Sequence, residues 1–429
     1  MMEHLMKIHY NPGKQEWESL LKRPYVDDTA VIDAVTMILN GVKQHGDEAL
    51  FGFIKKFDKV ELYRLDVTAQ ELIDAEKEIS ALLKAAIIQA KENIERFHQS
   101  QIIAPAFIET QPGISCWRKN AGIEKVGLYI PGGTAPLFST VLMLGIPAKL
   151  AGCKDIVLCT PCNAEGKIHP AILYAASLVG VTKIFKIGGA HAIAAMAYGT
   201  ETVPKVYKIF GPGNQYVTAA KQLIQMEGIA IDMPAGPSEV CILADETADP
   251  QYVAADLLSQ AEHGSDSQVI LISNNEKTIL NCLEALDQQL QELPRKDLAQ
   301  KALIGSKAIL IDQMELAIDL VNDYAAEHLI INCKEADVIA EQITNAGSVF
   351  IGPYSPESVG DYASGTNHTL PTNGYAKMYS GVSLDSFVKK ITYQKLTKQG
   401  LETIGNTVIQ MAEAEGLQAH AHAVRVRLQ

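Results

Sequence analysis

Between about Gly122 and residue 225, short apolar runs alternate three times with glycine turns and Ala-rich helical stretches, and this alternation restricts the chain more than any other feature. The junctions read Val126-Gly-Leu-Tyr-Ile-Pro-Gly-Gly133, Lys183-Ile-Phe-Lys-Ile-Gly-Gly189 and Val206-Tyr-Lys-Ile-Phe-Gly-Pro-Gly213. A strand covered on both faces reads as an unbroken apolar run, and a helix that carries the chain back sets the next strand parallel to the last. A second zone of this kind runs from Ser238-Glu-Val-Cys-Ile-Leu-Ala244 through a helix near Gln251 to His263, then on to Gln268-Val-Ile-Leu-Ile-Ser273. Residues 28–100 instead place Ala, Leu and Ile at helical spacing, as in Glu71-Leu-Ile-Asp-Ala-Glu-Lys-Glu-Ile79. The pattern predicts an α/β protein with two parallel-sheet domains of incomplete Rossmann type, a helical N-terminal segment and a small C-terminal tail domain. The predicted boundaries are an arm over 1–24, a first α/β domain assembled from 25–128 and 239–380, a second over 129–238, and a tail over 381–429.

A length of 429 residues accommodates two or three such units at roughly 150 residues each. Thirty-seven Lys and Arg against 50 Asp and Glu leave a net charge of -13, which opposes the counterion release that drives general binding to nucleic acid, so none is expected as a partner. Met1 to Asn11 offer no unbroken apolar core for secretion, and the apolar stretch Val126 to Cys153 is interrupted by Pro131, Pro136 and Pro147. No membrane segment is expected, and the expected address is cytoplasmic. Seven scattered cysteines form no disulfide framework, which fits a reducing compartment.

The dinucleotide fingerprint G-x-G-x-x-G fails where it comes nearest, because Gly211-Pro-Gly-Asn-Gln-Tyr216 ends in tyrosine. What remains is backbone N–H groups at a helix start, with Asn214 as candidate N-cap, a feature shared by phosphate cradles and ordinary βα turns alike. Cys159-Thr-Pro-Cys162 has redox or zinc-knuckle spacing without a second pair to complete four ligands. Gln260 and His263 stand three apart at the end of a helical run, a spacing that lets two side chains share one cation or simply cap a helix. Glu327 and His328 are adjacent at the end of the helical run from Gln313 and serve one cavity only at a helix end, because neighbours on a helix diverge by about 100 degrees. Pro356 to His368 adds Glu357, Asp361 and His368 in a polar loop, and the tail adds His420 and His422. H-E-x-x-H, G-x-S-x-G and Walker sequences are absent.

Taken together, Val126 to Pro136, Gly211-Pro-Gly-Asn214, Asp232 to Val240, Leu258-Ser-Gln-Ala-Glu-His263 and Pro356 to Tyr362 resemble the histidinol dehydrogenase family from the helical opening to the tail. The resemblance implies oxidation of L-histidinol through its aldehyde to L-histidine, the closing steps of histidine biosynthesis, with two NAD and one bound zinc per site. It implies Gln260, His263, Asp361 and His420 as zinc ligands and Glu327 and His328 as the acid–base pair. The substrate would meet Ser238, Glu415, His328 and the four ligands. Residues 129–238 become the NAD-binding domain, through Tyr129, His191 and Asn214. The family commonly carries glutamine where this chain has His191; an imidazole can still donate one hydrogen bond but does not reproduce the geometry of the amide's simultaneous donor and acceptor. Family members are homodimers in which the tail, here 381–429, reaches the neighbouring subunit's site.

The residue chemistry suits that reading. An imidazole with an ordinary pKa of about 6.5 accepts an alcohol proton near neutrality, and a tuned carboxylate draws a proton from water. One carboxylate, two imidazoles and an amide leave a divalent ion about one positive charge with which to grip an amino alcohol, and they suit zinc and manganese alike. Two rival readings remain open at this point: a zinc hydrolase with Glu327 or Glu357 as base, and a non-catalytic metabolite-binding protein on the same fold.

Overall fold

The computed structural model describes residues 4–23, 29–132, 135–234 and 236–429; Gly133, Thr134 and Ala235 of the motifs above lie outside the described residues, as does the arm's expected boundary at 24–25. β1 (Lys7–Tyr10) and α1 (Lys14–Leu20) precede three longer helices, α2 (Thr29–Phe53), α3 (Ala69–Glu78) and α4 (Ala81–Gln99). Thr68 and Ser80 start the last two by accepting the N–H groups of Glu71 and Leu83. A hairpin follows, β2 (Phe107–Gln111) and β3 (Ile114–Gly122).

The first parallel sheet contains β4 (Lys125–Tyr129), β5 (Asp155–Thr160), β6 (Lys183–Lys186), β7 (Lys208–Phe210) and β8 (Ala230–Ile231) in the order β6-β5-β4-β7-β8. Four helices connect these strands: α5 (Phe138–Leu150), α6 (Pro170–Val179), α7 (Gly189–Tyr198) and α8 (Gln215–Met226). Every residue of α5 from Ser139 to Ala148 is buried, which matches its apolar circumference, because α4 and α6 flank it and β4 and β5 lie beneath. The chain winds outward from β4 to β6 and returns to β7 on the other side. A crevice therefore opens between the carboxyl ends of β4 and β7, where sheets of this kind bind ligands.

The second sheet repeats that winding. β9 (Glu239–Ala244), α9 (Pro250–Ala261) and β10 (Gln268–Ser273) lead through α10 (Glu276–Leu290) and α11 (Lys296–Ile304) to β11 (Lys307–Leu310). α12 (Met314–Tyr324), β12 (His328–Asn332), α13 (Ala336–Ala340), β13 (Ser348–Ile351) and α14 (Glu357–Tyr362) complete it. All six strands are parallel, in the order β1-β11-β10-β9-β12-β13. The chain ends with β14 (Val388–Leu396), antiparallel to β3, and a helical pair, α15 (Lys398–Ala414) and α16 (Gln418–Leu428).

The packing redraws the expected division of the chain. Val31, Val35, Leu50, Leu65, Ile87 and Ile94 sit in the cores against the five-stranded sheet, so residues 29–99 cover that sheet rather than joining 239–380. The N-terminal arm is no free strap: β1 edges the six-stranded sheet, and Trp17, Leu20 and Leu21 lie in its core. At the other end Val382 and Phe387 belong to the core of the five-stranded unit before the tail departs. The chain passes from β8 to the amino end of β9 through 232–238, and residues 361–368 bridge the units. Asn367 donates to the Met143 carbonyl (2.6 Å), Asn93 donates to the Ala363 carbonyl (2.9 Å), and Thr140 Oγ1 lies 3.0 Å from His368 Nε2.

Candidate active site

α12 ends at Tyr324, and Ala325 turns the chain through a left-handed φ of 53°, so Glu327 and His328 stand in extended backbone at the entry to β12, not at a helix end. Both reach the first residue of the neighbouring strand β9. The Glu239 N–H donates to Glu327 Oε2 at 2.9 Å, and His328 Nδ1 lies 3.2 Å from the Glu239 carbonyl. A carbonyl only accepts, so Nδ1 carries a proton and Nε2 is the nitrogen left to exchange one. That nitrogen is buried without a hydrogen-bond partner, 3.3 Å from an equally unpartnered Asp361 Oδ1.

Asp361 comes from α14, and His368 Nδ1, 2.8 Å from the Asp361 carbonyl, holds that short helix in place. Glu357, 1% exposed, enters from the first turn of α14. Gln260, fully buried near the end of α9, donates to Glu357 Oε1 at 2.6 Å and accepts from the Glu239 N–H at 3.2 Å when its amide is set to satisfy both groups. His263 falls two residues beyond the end of α9, in a closing turn where its N–H donates to the Gln260 carbonyl at 3.2 Å, and it is exposed. Ser238, half-buried, precedes β9 directly.

Burial pushes Glu327 up to about 7 and Glu357 up to about 8. Burial pulls His328 down, but the Glu327, Glu357 and Asp361 carboxylates outweigh it and hold the imidazole up at about 10. Burial pushes Asp361 up, yet its contacts with His328, His368 and His263 leave it below the usual carboxylate range. The cluster thus gathers buried carboxyl groups, two of which hold their protons well above the ordinary carboxylate range.

The donors fit a divalent cation in kind: an amide oxygen, an imidazole and the unpartnered Asp361 oxygen, in a buried pocket short of positive charge. They fall short in number. Among the described residues no three His, Cys, Asp or Glu side chains gather around one point as a metal cage. The remaining expected members, His420 on α16 and Glu415 at the end of α15, are exposed, on a helical pair that packs on itself and leans on β14. This chain alone does not bring them to the other residues.

A cavity of about 1110 Å³ opens at the carboxyl ends of the five-stranded sheet and is lined by Tyr129, Pro161, Cys162, His191 and Asn214 among others. Gly211, with φ of 127°, lets β7 turn beside β4: a Cβ there would lie 2.0 Å from the Tyr129 carbonyl oxygen. The Gly211 N–H donates to Asp232 (2.8 Å), its carbonyl accepts from Lys221 (3.0 Å), and those two buried side chains are themselves ion-paired. Asn214 caps α8 with its side-chain oxygen, leaving its amide N–H groups for a ligand. Tyr129 Oη accepts from the Gly189 N–H at 3.0 Å, and burial pushes the phenol up to about 12. His191, 2% exposed, stands in the first turn of α7 with Nε2 unpartnered and 3.6 Å from the Asp58 carboxylate. Burial raises the thiol pKa of Cys159 and Cys162, so the Cys-x-x-Cys pair is poorly suited to thiolate chemistry.

Of the expected residues, Glu327, His328, Gln260 and Asp361 gather in one buried cluster around the start of β9, and Tyr129, His191 and Asn214 line the cavity. Glu239 was not anticipated, since it acts through its backbone and its residue type gives no sign of that. Glu357 was quoted only as a loop carboxylate and a hydrolase base; its spacing of four from Asp361 on one helical face is the signal that places both in the site.

A family model described as histidinol dehydrogenase matches residues 21–428. A histidinol dehydrogenase of Bacteroides thetaiotaomicron is 59% identical over 424 residues, covering 99% of each chain. That of Mannheimia succiniciproducens is 51% identical over 418 residues, 97% of each. The crystal structure of histidinol dehydrogenase from Elizabethkingia anophelis superposes with a TM-score of 0.98 at 54% identity, over 100% of this chain and 99% of that one. Two matched sheets, an acid–base cluster on one and a large cavity on the other thus come with family-level likeness over nearly the whole chain, which belongs to the histidinol dehydrogenase family and is a dehydrogenase.

Proposed function

We propose that this chain oxidises L-histidinol to L-histidine in two successive hydride transfers through the aldehyde, with NAD in the cavity of the five-stranded unit and one zinc ion at Gln260, His263, Asp361 and His420. When bound, NAD would supply the hydride acceptor and the cation a Lewis acid to hold and orient the amino alcohol. His328 Nε2, in the neutral form of the imidazole, takes the alcohol proton. Glu327, held by the Glu239 N–H and raised to about 7, withdraws the proton from the water that adds to the aldehyde. Ser238 at the entry to β9 and Glu415 from the tail complete the substrate's polar contacts, and Tyr129, His191 and Asn214 line the NAD site. The placement of His420 and Glu415 away from the other residues supports a homodimer in which each tail completes the partner's site. Among the described residues no helix is long and apolar enough to cross a membrane.

The observation that carries this reading is the pairing of Glu327 and His328 on the backbone of one residue, beside the donors of a cation. Counting NADH formed per histidinol consumed, with and without chelator, tests it: a four-electron oxidation gives two, and chelator abolishes it. A yield of one, or full activity after metal removal, overturns it.

A further inference from the structure

Glu239 supports the acid–base pair with its backbone, and its side chain is anchored elsewhere. The carboxylate is 1% exposed, and a charge buried to that extent persists only when paired and hydrogen-bonded. Arg23 provides the pairing with a two-pronged grip, Nε to Oε1 at 2.8 Å and Nη2 to Oε2 at 3.0 Å, and the Asn373 N–H adds a third bond at 2.8 Å. The same guanidinium donates to the Tyr324 carbonyl at 2.7 Å and lies 4.1 Å from the centre of the Tyr324 ring. The Tyr324 hydroxyl donates to Gln268 at 2.9 Å, and the Gln268 N–H donates to the Ser238 carbonyl at 3.1 Å. Arg23 therefore ties together the entry to β9, the end of α12 three residues before Glu327, and the loop at Asn373.

We propose that Arg23, delivered by the N-terminal arm, is a positioning residue for the reaction: its fork on the Glu239 carboxylate fixes the backbone that aims Glu327 and His328. The inference rests on the reading of those two as the acid–base pair. A planar fork fixes both position and plane of a carboxylate, which a lysine ammonium does not. If the grip is lost, Glu239 rotates, its N–H and carbonyl swing together, and both hydrogen bonds to the pair tilt at once. Of the proposed substrate and cation contacts, only Gln260, which accepts from the same Glu239 N–H, and Ser238, its neighbour in the chain, touch this backbone; His263, Asp361 and the tail residues are not held by the grip.

The test compares steady-state kinetics and metal content of the full-length enzyme carrying Arg23→Met, Arg23→Lys, Tyr324→Phe, or Arg23→Met with Glu239→Gln. The double variant removes the stranded charge, so the loss of the grip is read even where Arg23→Met alone fails to fold. The expected result is a kcat lowered roughly 10–100-fold in the double variant, the scale at which small misplacements act. The histidinol KM and the metal content change far less than kcat, Arg23→Lys recovers part of the rate, and Tyr324→Phe, which keeps the grip but loses the Gln268 bond, turns over normally. A folded double variant with native kcat overturns the proposal, as does an equal loss in Tyr324→Phe. His328→Asn, assayed alongside, separates the two claims: its full activity defeats the acid–base reading itself, whereas its inactivity beside an unaffected Arg23 series defeats only the role of Arg23.

Discussion

Glu327, Glu357 and Asp361 crowd one imidazole, and all four cannot carry full charge in the absence of a cation. In the metal-free protein His328 holds its proton up to about 10, Glu327 to about 7 and Glu357 to about 8, each above the ordinary value of its type. Each group binds its proton more tightly folded than unfolded. Its contribution is therefore complete below the ordinary pKa and disappears as pH rises through the folded one. The melting temperature of chelated protein is expected to fall steadily from about pH 5 to pH 10, and Glu357→Gln to flatten the part of that slope below about 8. A melting temperature that climbs across this range contradicts the assignment. At this scale the sequence was informative about chemistry and silent about support. Glu327, His328 and Asp361 announce themselves by type, whereas Glu239 contributes an N–H and a carbonyl that any residue possesses.

Among the elements, the βα alternation was legible because buried parallel strands such as Val240 to Leu243 and Val269 to Ile272 have no polar face to break the run. The Asn214 cap was legible too, since a side-chain oxygen before an apolar-periodic stretch has few other uses. Glu327 and His328 were misread as a helix end because α12 and β12 are separated by only three residues, Ala325 among them in a backbone conformation unusual for alanine. The turn after β7 carries its own prediction. Gly211→Ala would thrust a methyl group into the Tyr129 carbonyl at a positive φ, so β4 and β7 must separate. We expect this variant to lose on the order of 2–4 kcal/mol of stability by thermal or urea unfolding and to raise the KM for NAD more than that for histidinol. Unaltered stability with an unchanged KM for NAD refutes it.

For the whole molecule, the assignment of helices to sheets was the illegible part. The apolar stripes of α2 and α4 declare that they cover something, and nothing in their spacing says which of two similar sheets it is. β1 at the sheet edge, and β14 beside β3 across more than 260 residues, are likewise long-range pairings that no local pattern encodes. The exposed position of His420 leads to a prediction at this scale: protomers carrying His420→Ala, inactive alone, mixed with equally inactive Glu327→Gln protomers should recover up to roughly a quarter of native turnover, since one site in four of a random mixture is then intact. Complete absence of recovery in verified mixed dimers argues for sites built within single chains.

The cavity draws its walls wholly from the five-stranded unit, while Glu327, His328, Gln260 and Asp361 all come from the six-stranded one. A catalyst that oxidises one carbon twice must discharge a spent nucleotide and admit a fresh one while a reactive aldehyde waits. On the proposed assignment, housing the traveller and the captive in separate halves of the architecture permits that changeover: the visitor's door can open without loosening the grip on the half-finished molecule.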